Sequence, residues 1–255
     1  MNRLALIIKG HSRTEEETET DLSYVRTYYQ FLNSIAGGAW DESEITFLDE
    51  PEIEDYAEII RAVKPTYGLT ILIGHGATLD DHQLFQLNEN IVVKPGQFVF
   101  DTDKQLIILE SCRSNIEDIY WVDLENKLPM YRYGGYVRGH ITRQTSKDIF
   151  EYVLNQCDPG IVICFACSKN QAAYNYFFST ELVQCAQNLF LDTLYHYCAF
   201  GILDMMPYVT KRVNRKARKA YGVEQVPETS GDINFPFAIS KFDLLDWEKK
   251  KLQGQ

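Results

Sequence analysis

The chain has 255 residues, with 25 basic against 36 acidic side chains for a net charge of −11. A single α/β unit of that length buries an ample core, so disorder and a fibrous class are excluded, and the negative charge argues against nucleic acid as the main partner and favours basic ligands. No apolar stretch is long enough to span a bilayer, and MNRLALIIKG lacks the length and the cleavage site of a signal peptide, so the expectation is a soluble, cytoplasmic, single-domain protein with no membrane partner.

Leu4 to Ile8 reads as a buried strand, followed by a polar, acid-rich loop from His11 to Thr20. Asp21 then caps a helix whose apolar face is Leu22, Val25, Tyr29, Leu32 and Ile35, and Gly37 and Gly38 stop it. Ile45 to Leu48 is a second strand. Pro51 opens a second helix that turns Ile53, Ile60 and Val63 inward, with Pro65 beyond its end. A third strand lies in LTILIGHGA, residues 69 to 77, and a fourth in LIILESCRS, residues 106 to 114. Between them Leu84 to Phe100 reads as a small hairpin excursion broken at Asn88 to Asn90 and at Pro95 and Gly96.

Ser114 to Arg143 is the longest irregular stretch, with Arg132, Arg138 and Arg143 expected to be accessible. Ser146 caps a helix to Gln156, and Asp158, Pro159 and Gly160 turn the chain into a fifth strand, Ile161 to Cys167. Thr180 to Cys198 and Met205 to Tyr221 read as helices, the second with a basic face of Lys211, Arg212, Arg215, Lys216, Arg218 and Lys219 that reads first as a solvated surface. Phe235 to Ile239 is the last strand. Strand, helix, strand, helix, strand is the signature of a parallel sheet with right-handed crossovers.

The six cysteines, Cys112, Cys157, Cys164, Cys167, Cys185 and Cys198, suit a reducing compartment. Cys164 and Cys167 have the spacing of a metal clip, but strand residues three apart point to opposite faces, so they read as core thiols. Chemistry in an open α/β sheet sits at the carboxyl ends of the strands, which is where His75 and Cys112 fall. Gly74 and Gly76 let the backbone beside His75 approach a ligand, and Cys112 is flanked by Glu110, Ser111 and Arg113 instead of apolar neighbours. A thiol nucleophile and its base are the reading that follows. His11, His82, His140 and His196 have no comparable setting.

At this point the chain resembles the caspase and metacaspase group of cysteine peptidases, particularly short bacterial caspase-like proteins. ESCRS resembles the caspase signature around the nucleophile, with Glu110 for Gln, Ser111 for Ala and Ser114 for the final Gly. ACSKNQAAYNYFFSTELVQ is similar to the family's segment after the fifth strand, and QVPETSGDINFPFAI to its closing Gln-x-Pro and terminal strand. The resemblance implies a three-layer α/β sandwich with a six-stranded, mostly parallel sheet. It also implies a part like the large subunit over residues 1–143 and one like the small subunit over 144–255. Cys112 would attack a peptide carbonyl, His75 would protonate the leaving amine and then activate water, and the main-chain N–H groups of Gly76 and Cys112 would hold the oxyanion. No triad acid is evident in the sequence. Arg113, if it pointed inward, would favour the thiolate.

Within that family, acidic pocket residues accompany cleavage after Arg or Lys, and basic ones cleavage after Asp. Glu110 stands two residues before Cys112, where metacaspases have a pocket Asp, and Asp21 is similar in placement to their second pocket acid. The substrate expected is therefore a protein or peptide with a basic residue before the scissile bond, and the family's bacterial members imply a pore-forming or other defence-system substrate and self-processing of a zymogen. Arg13 and Arg113 are what favours the Asp-cutting alternative. The calcium-binding Asp cluster of metacaspases has no residue-by-residue match here, so no cofactor or metal is required and calcium stimulation stays open. A catalytically silent binding module would be expected to lack His75 or Cys112, and a nucleotide-binding protein would need a Gly-rich phosphate loop where this chain has KGHSRTEEE.

Overall fold

The computed structural model describes residues 2–80, 82–114, 142–191 and 199–239. Strand β1 (Arg3–Lys9) is buried from end to end, as expected of a strand covered on both faces. Helix α1 (Glu15–Asn33) follows after only five residues. The expected loop to Thr20 and the cap at Asp21 are therefore corrected. Thr14 is the cap, its side chain accepting the Glu17 N–H at 3.1 Å, and Glu15, Glu16 and Glu17 place negative charge at the positive end of the helix. Asp21 lies inside the helix and is buried.

Strand β2 (Ile45–Asp49), α2 (Ile53–Ala62) and β3 (Tyr67–Ile73) come next. Ile53 is 40% exposed in the first turn of α2, so it does not face inward as expected, whereas Ile60 and Val63 pack on the core. Strands β4 (Gly76–Leu79), β5 (His82–Gln86) and β6 (Val92–Val93) form a separate antiparallel sheet, which begins immediately after His75, earlier than the expected excursion. Strand β7 (Lys104–Glu110) leads to Cys112, and residues 115–141, with Arg132 and Arg138, lie outside the described residues.

Helix α3 (Arg143–Gln156) is capped by Thr142, not Ser146; the Ser146 hydroxyl is spent on the Ile35 carbonyl at 2.7 Å. Arg143 is exposed, but it donates to the Trp40 carbonyl at 2.9 Å from the first turn of that helix. Strand β8 (Gly160–Phe165), α4 (Phe177–Leu191), β9 (Ala199–Gly201), α5 (Ile202–Tyr221), β10 (Glu228–Ser230) and β11 (Pro236–Ile239) complete the described chain. The expected extension of α4 to Cys198 falls on residues 192–198, outside the described residues. On α5 the basic face is partly internal: Arg212 and Lys216 reach the buried Glu181 of α4 at 3.3 and 2.6 Å.

The main sheet has the order β10-β8-β7-β3-β1-β2, parallel except for the antiparallel edge strand β10. The sixth strand is thus Glu228–Ser230, and the expected Phe235–Ile239 strand instead pairs with β9. Side-chain alternation along β1 divides the core. Ala5 and Ile7 join α1, α3, α4 and α5 on one face, and Leu4, Leu6 and Ile8 join α2 and the small sheet on the other. This is the three-layer α/β sandwich expected. Among the described residues, no helix is long and apolar enough to cross a membrane.

Candidate active site

The register of the two central strands places the site. Ile73 of β3 is paired with Glu110 of β7, and His75 and Cys112 each follow two residues later, past the carboxyl edge of the sheet. Gly74 leaves β3 with φ of +148°, a conformation open to glycine, and donates back to the Glu110 carbonyl at 3.2 Å. Gly76 packs directly on Ser111: a Cβ there would stand 2.5 Å from the Ser111 Oγ. The Gly76 main chain therefore lies against the Ser111 side chain and the Leu84 carbonyl, with no room for a Cβ.

The small sheet holds the Cys112 segment in place. The Gln83 side chain donates to the Cys112 carbonyl at 2.9 Å, the Thr78 hydroxyl to the Arg113 carbonyl at 2.9 Å, and the Thr78 N–H to the Ser114 carbonyl at 2.9 Å. Its opposite side is covered by the loop between β8 and α4. There the Asn170 N–H donates to the Arg113 carbonyl at 3.0 Å, the Arg113 N–H to the Gln171 carbonyl at 2.9 Å, and the Ala173 N–H to the Cys112 Sγ at 3.3 Å. Asn170, Asn175 and Tyr176 all have left-handed φ, so the loop is bent sharply to reach this position.

Burial pushes the Cys112 thiol up, and the Ala173 N–H and the Arg13 charge pull it back only in part. Burial also lowers the pKa of His75, with Arg13 adding to the effect and Glu17 opposing it. Both shifts favour neutral thiol and neutral imidazole in this arrangement. Arg13 is exposed at the mouth of the site, close enough for its charge to weigh on both groups. Glu17, expected in a loop, brings its Oε2 to 3.4 Å from the His75 Nε2. The Thr-x-x-Glu spacing of a helix start, Thr14 to Glu17, was the signal that would have found it.

Arg113 does not point at the thiol. It donates to Glu228 at 2.8 Å and to the Cys167 carbonyl at 3.3 Å, with its guanidinium 4.0 Å over the Phe165 ring, so its expected support of the thiolate and of an Asp-cutting pocket is withdrawn.

Glu110 points to the opposite side of β7 from Leu109, into the helix layer, where its Oε2 accepts the Ser179 N–H at 2.6 Å and the Ser179 hydroxyl at 2.5 Å. Tyr28 donates to the same hydroxyl at 2.9 Å. Burial pushes the Glu110 carboxyl up to about 7 despite these bonds. Burial does the same to Asp21, also to about 7, although Ser12 donates to it at 2.7 Å and the Tyr176 hydroxyl bonds its other oxygen. Tyr24, stacked on Tyr176 with ring centroids 4.3 Å apart, senses both carboxyls. The two acids thus border one polar region beneath the loop that covers Cys112. Cys164 and Cys167 are fully buried. Among the described residues, no group of three or more His, Cys, Asp and Glu side chains is placed to hold a metal ion.

No protein-family model matches the chain, and no curated protein matches it in sequence. In structure it is similar to the crystal structure of the Drosophila initiator caspase Dronc, with a TM-score of 0.50 and 11% sequence identity over 92% of this chain and 80% of that one. Together with the strand order and the single antiparallel edge strand, that similarity shows a caspase-like fold.

Proposed function

We propose that the chain is a cysteine endopeptidase in which Cys112 is the nucleophile and His75 its acid–base partner, cleaving after Arg or Lys. The observation that carries this reading is the paired register of β3 and β7, which delivers His75 and Cys112 side by side past the sheet edge with Gly76 packed on Ser111. Cys112 Sγ gives its proton to His75 and attacks the substrate carbonyl. His75 then protonates the leaving amine, and water, deprotonated by His75, releases the acid product. The N–H groups of Gly76 and Cys112 take the oxyanion. Turnover requires Ala173 to leave the Cys112 Sγ, so the arrangement described is a resting one.

The basic-residue preference rests on Glu110 and Asp21 as pocket acids. Arg13 beside the thiol favours a second reading, cleavage after Asp, in which the guanidinium pairs with the substrate carboxylate. A set of fluorogenic peptides differing only in the residue before the scissile bond separates the two. Hydrolysis after Arg and Lys, blocked by iodoacetamide, is expected; hydrolysis of none of the peptides by the purified chain would overturn the proposal.

Self-cleavage between Ser114 and Arg143 belongs to the same reading, with Arg132 and Arg138 as preferred sites, because Arg143 opens a helix. Mass spectrometry of the incubated wild type should show a piece ending after Cys112 and a smaller one carrying the last strands, both absent in Cys112→Ala. An intact wild type that cleaves peptides well would remove processing from activation.

A further inference from the structure

The geometry points to Glu17 as a positioning residue that completes a Cys112–His75–Glu17 triad, its carboxylate taking the Nε2–H of His75 and leaving Nδ1 to accept the thiol proton. This rests on the function proposed above. The Glu17 Oε2 lies 3.4 Å from the His75 Nε2 and accepts the Arg13 N–H at 2.7 Å, while the Glu17 N–H is held by the Thr14 side chain at 3.1 Å. The Arg13 N–H therefore holds the carboxylate and the Thr14 cap holds its main chain, at the start of α1, where the helix dipole favours negative charge. Burial pushes the Glu17 carboxyl up, but the Arg13 N–H and the His75 ring bring it below its ordinary value, so it is ionised at neutral pH.

Among the described residues, the charged and titratable groups that bear most strongly on His75 are Arg13, Glu17 and His11. Of these only Glu17 favours the imidazolium; Arg13 and His11 oppose it. When Cys112 transfers its proton to Nδ1, the ring carries a proton on each nitrogen, and the one on Nε2 stays on the carboxylate. The proton on Nδ1 is the one delivered to the leaving amine. A carboxylate that fixes the tautomer and stabilises the imidazolium is what a third triad member does. An exposed ion pair with no such role would be worth little.

The test uses the full chain and nitrogen-15 NMR of the imidazole. In the wild type, His75 is expected as the Nε2–H tautomer with its titration midpoint above that of Glu17→Gln by on the order of one unit, the low end for a nearby opposite charge because both side chains are half-exposed. Glu17→Gln keeps an oxygen for the Arg13 N–H, so its thermal midpoint should match the wild type. Alkylation of Cys112 by iodoacetamide at pH 7 should slow by about tenfold in that variant. An Nδ1–H tautomer in the wild type, or one unmoved midpoint and alkylation profile in both proteins, would overturn the triad. If His75 and Cys112 respond as expected but no peptide is cleaved, the triad stands and the peptidase reading falls. If peptides are cleaved through Cys112 while Glu17→Gln changes neither titration nor alkylation, the peptidase reading stands and the triad falls.

Discussion

Cys112→Ala and His75→Ala are each expected to reduce peptide hydrolysis at least a thousandfold, while the thermal midpoint stays within a few degrees of wild type. The two halves of this expectation have separate physical grounds. Loss of activity follows in the proposed mechanism, where the sulfur attacks and the imidazole is the group that moves its proton. Retention of stability follows because neither residue belongs to the apolar clusters that hold the sheet between its helices. The Cys112 Sγ touches the Ala173 main chain, and the segment around it is held by Gln83 and Thr78 through carbonyls that the substitution leaves intact. Hydrolysis and melting should be measured on the same preparations. Undiminished hydrolysis in Cys112→Ala would remove the mechanism, and a collapsed midpoint in either variant would show that the site carries part of the fold.

The strands that build the site were legible because burial on both faces demands unbroken apolar runs. β1, β3, β7 and β8 all carry such runs, and the parallel pairing of β1, β2 and β3 followed from the helices between them. His75 and Cys112 were legible for the same reason, as polar residues at the points where such runs stop. What could not be read depends on contacts distant in sequence or on elements with no apolar face. The first two turns of α1 are acidic because they face solvent and the site, so the apolar period starts only at Leu22; this hid the true start at Glu15 and cast Asp21 as a cap and Glu17 as a loop residue. Strand β10 is Glu-Thr-Ser at an exposed edge, and nothing in three polar residues announces a strand. The contact of Ala173 with Cys112 spans 61 residues, and no local pattern encodes it. The direction of Arg113 is set by Glu228 and Phe165, which come from β10 and β8 and lie far from it in sequence.

Glu110 carries the second large expectation, and burial sharpens it. A carboxyl pushed up to about 7, against an ordinary value of 4.5, binds more protons in the folded chain than in the unfolded one across that window. Its contribution to stability is therefore full below about pH 4.5, falls as pH rises through the window, and levels off above about 7; Asp21, also raised to about 7, adds to the same slope. Glu110→Gln keeps an acceptor for Ser179 and removes the charge, so it should stabilise the protein at pH 8 by on the order of 3 kcal/mol and by little at pH 4.5. Thermal melts at the two pH values read this directly. In the peptidase reading, a substrate guanidinium offsets the cost of ionising Glu110, and Arg should outperform Lys because its fork engages both carboxylate oxygens. The ratio of kcat/KM for Arg peptides to that for peptides with a neutral residue before the scissile bond should then rise with pH through about 7, the ratio cancelling the titration of Cys112 and His75. Asp at that position should be disfavoured by roughly a thousandfold, since it sets a second carboxylate against Glu110 without water to screen it. Glu110→Gln should lose most of the Arg preference together with its pH dependence, and Glu110→Arg should not cut after Arg. A wild type that prefers Asp would instead make Arg13 the residue that selects the substrate and leave Glu110 as a buried partner of Ser179.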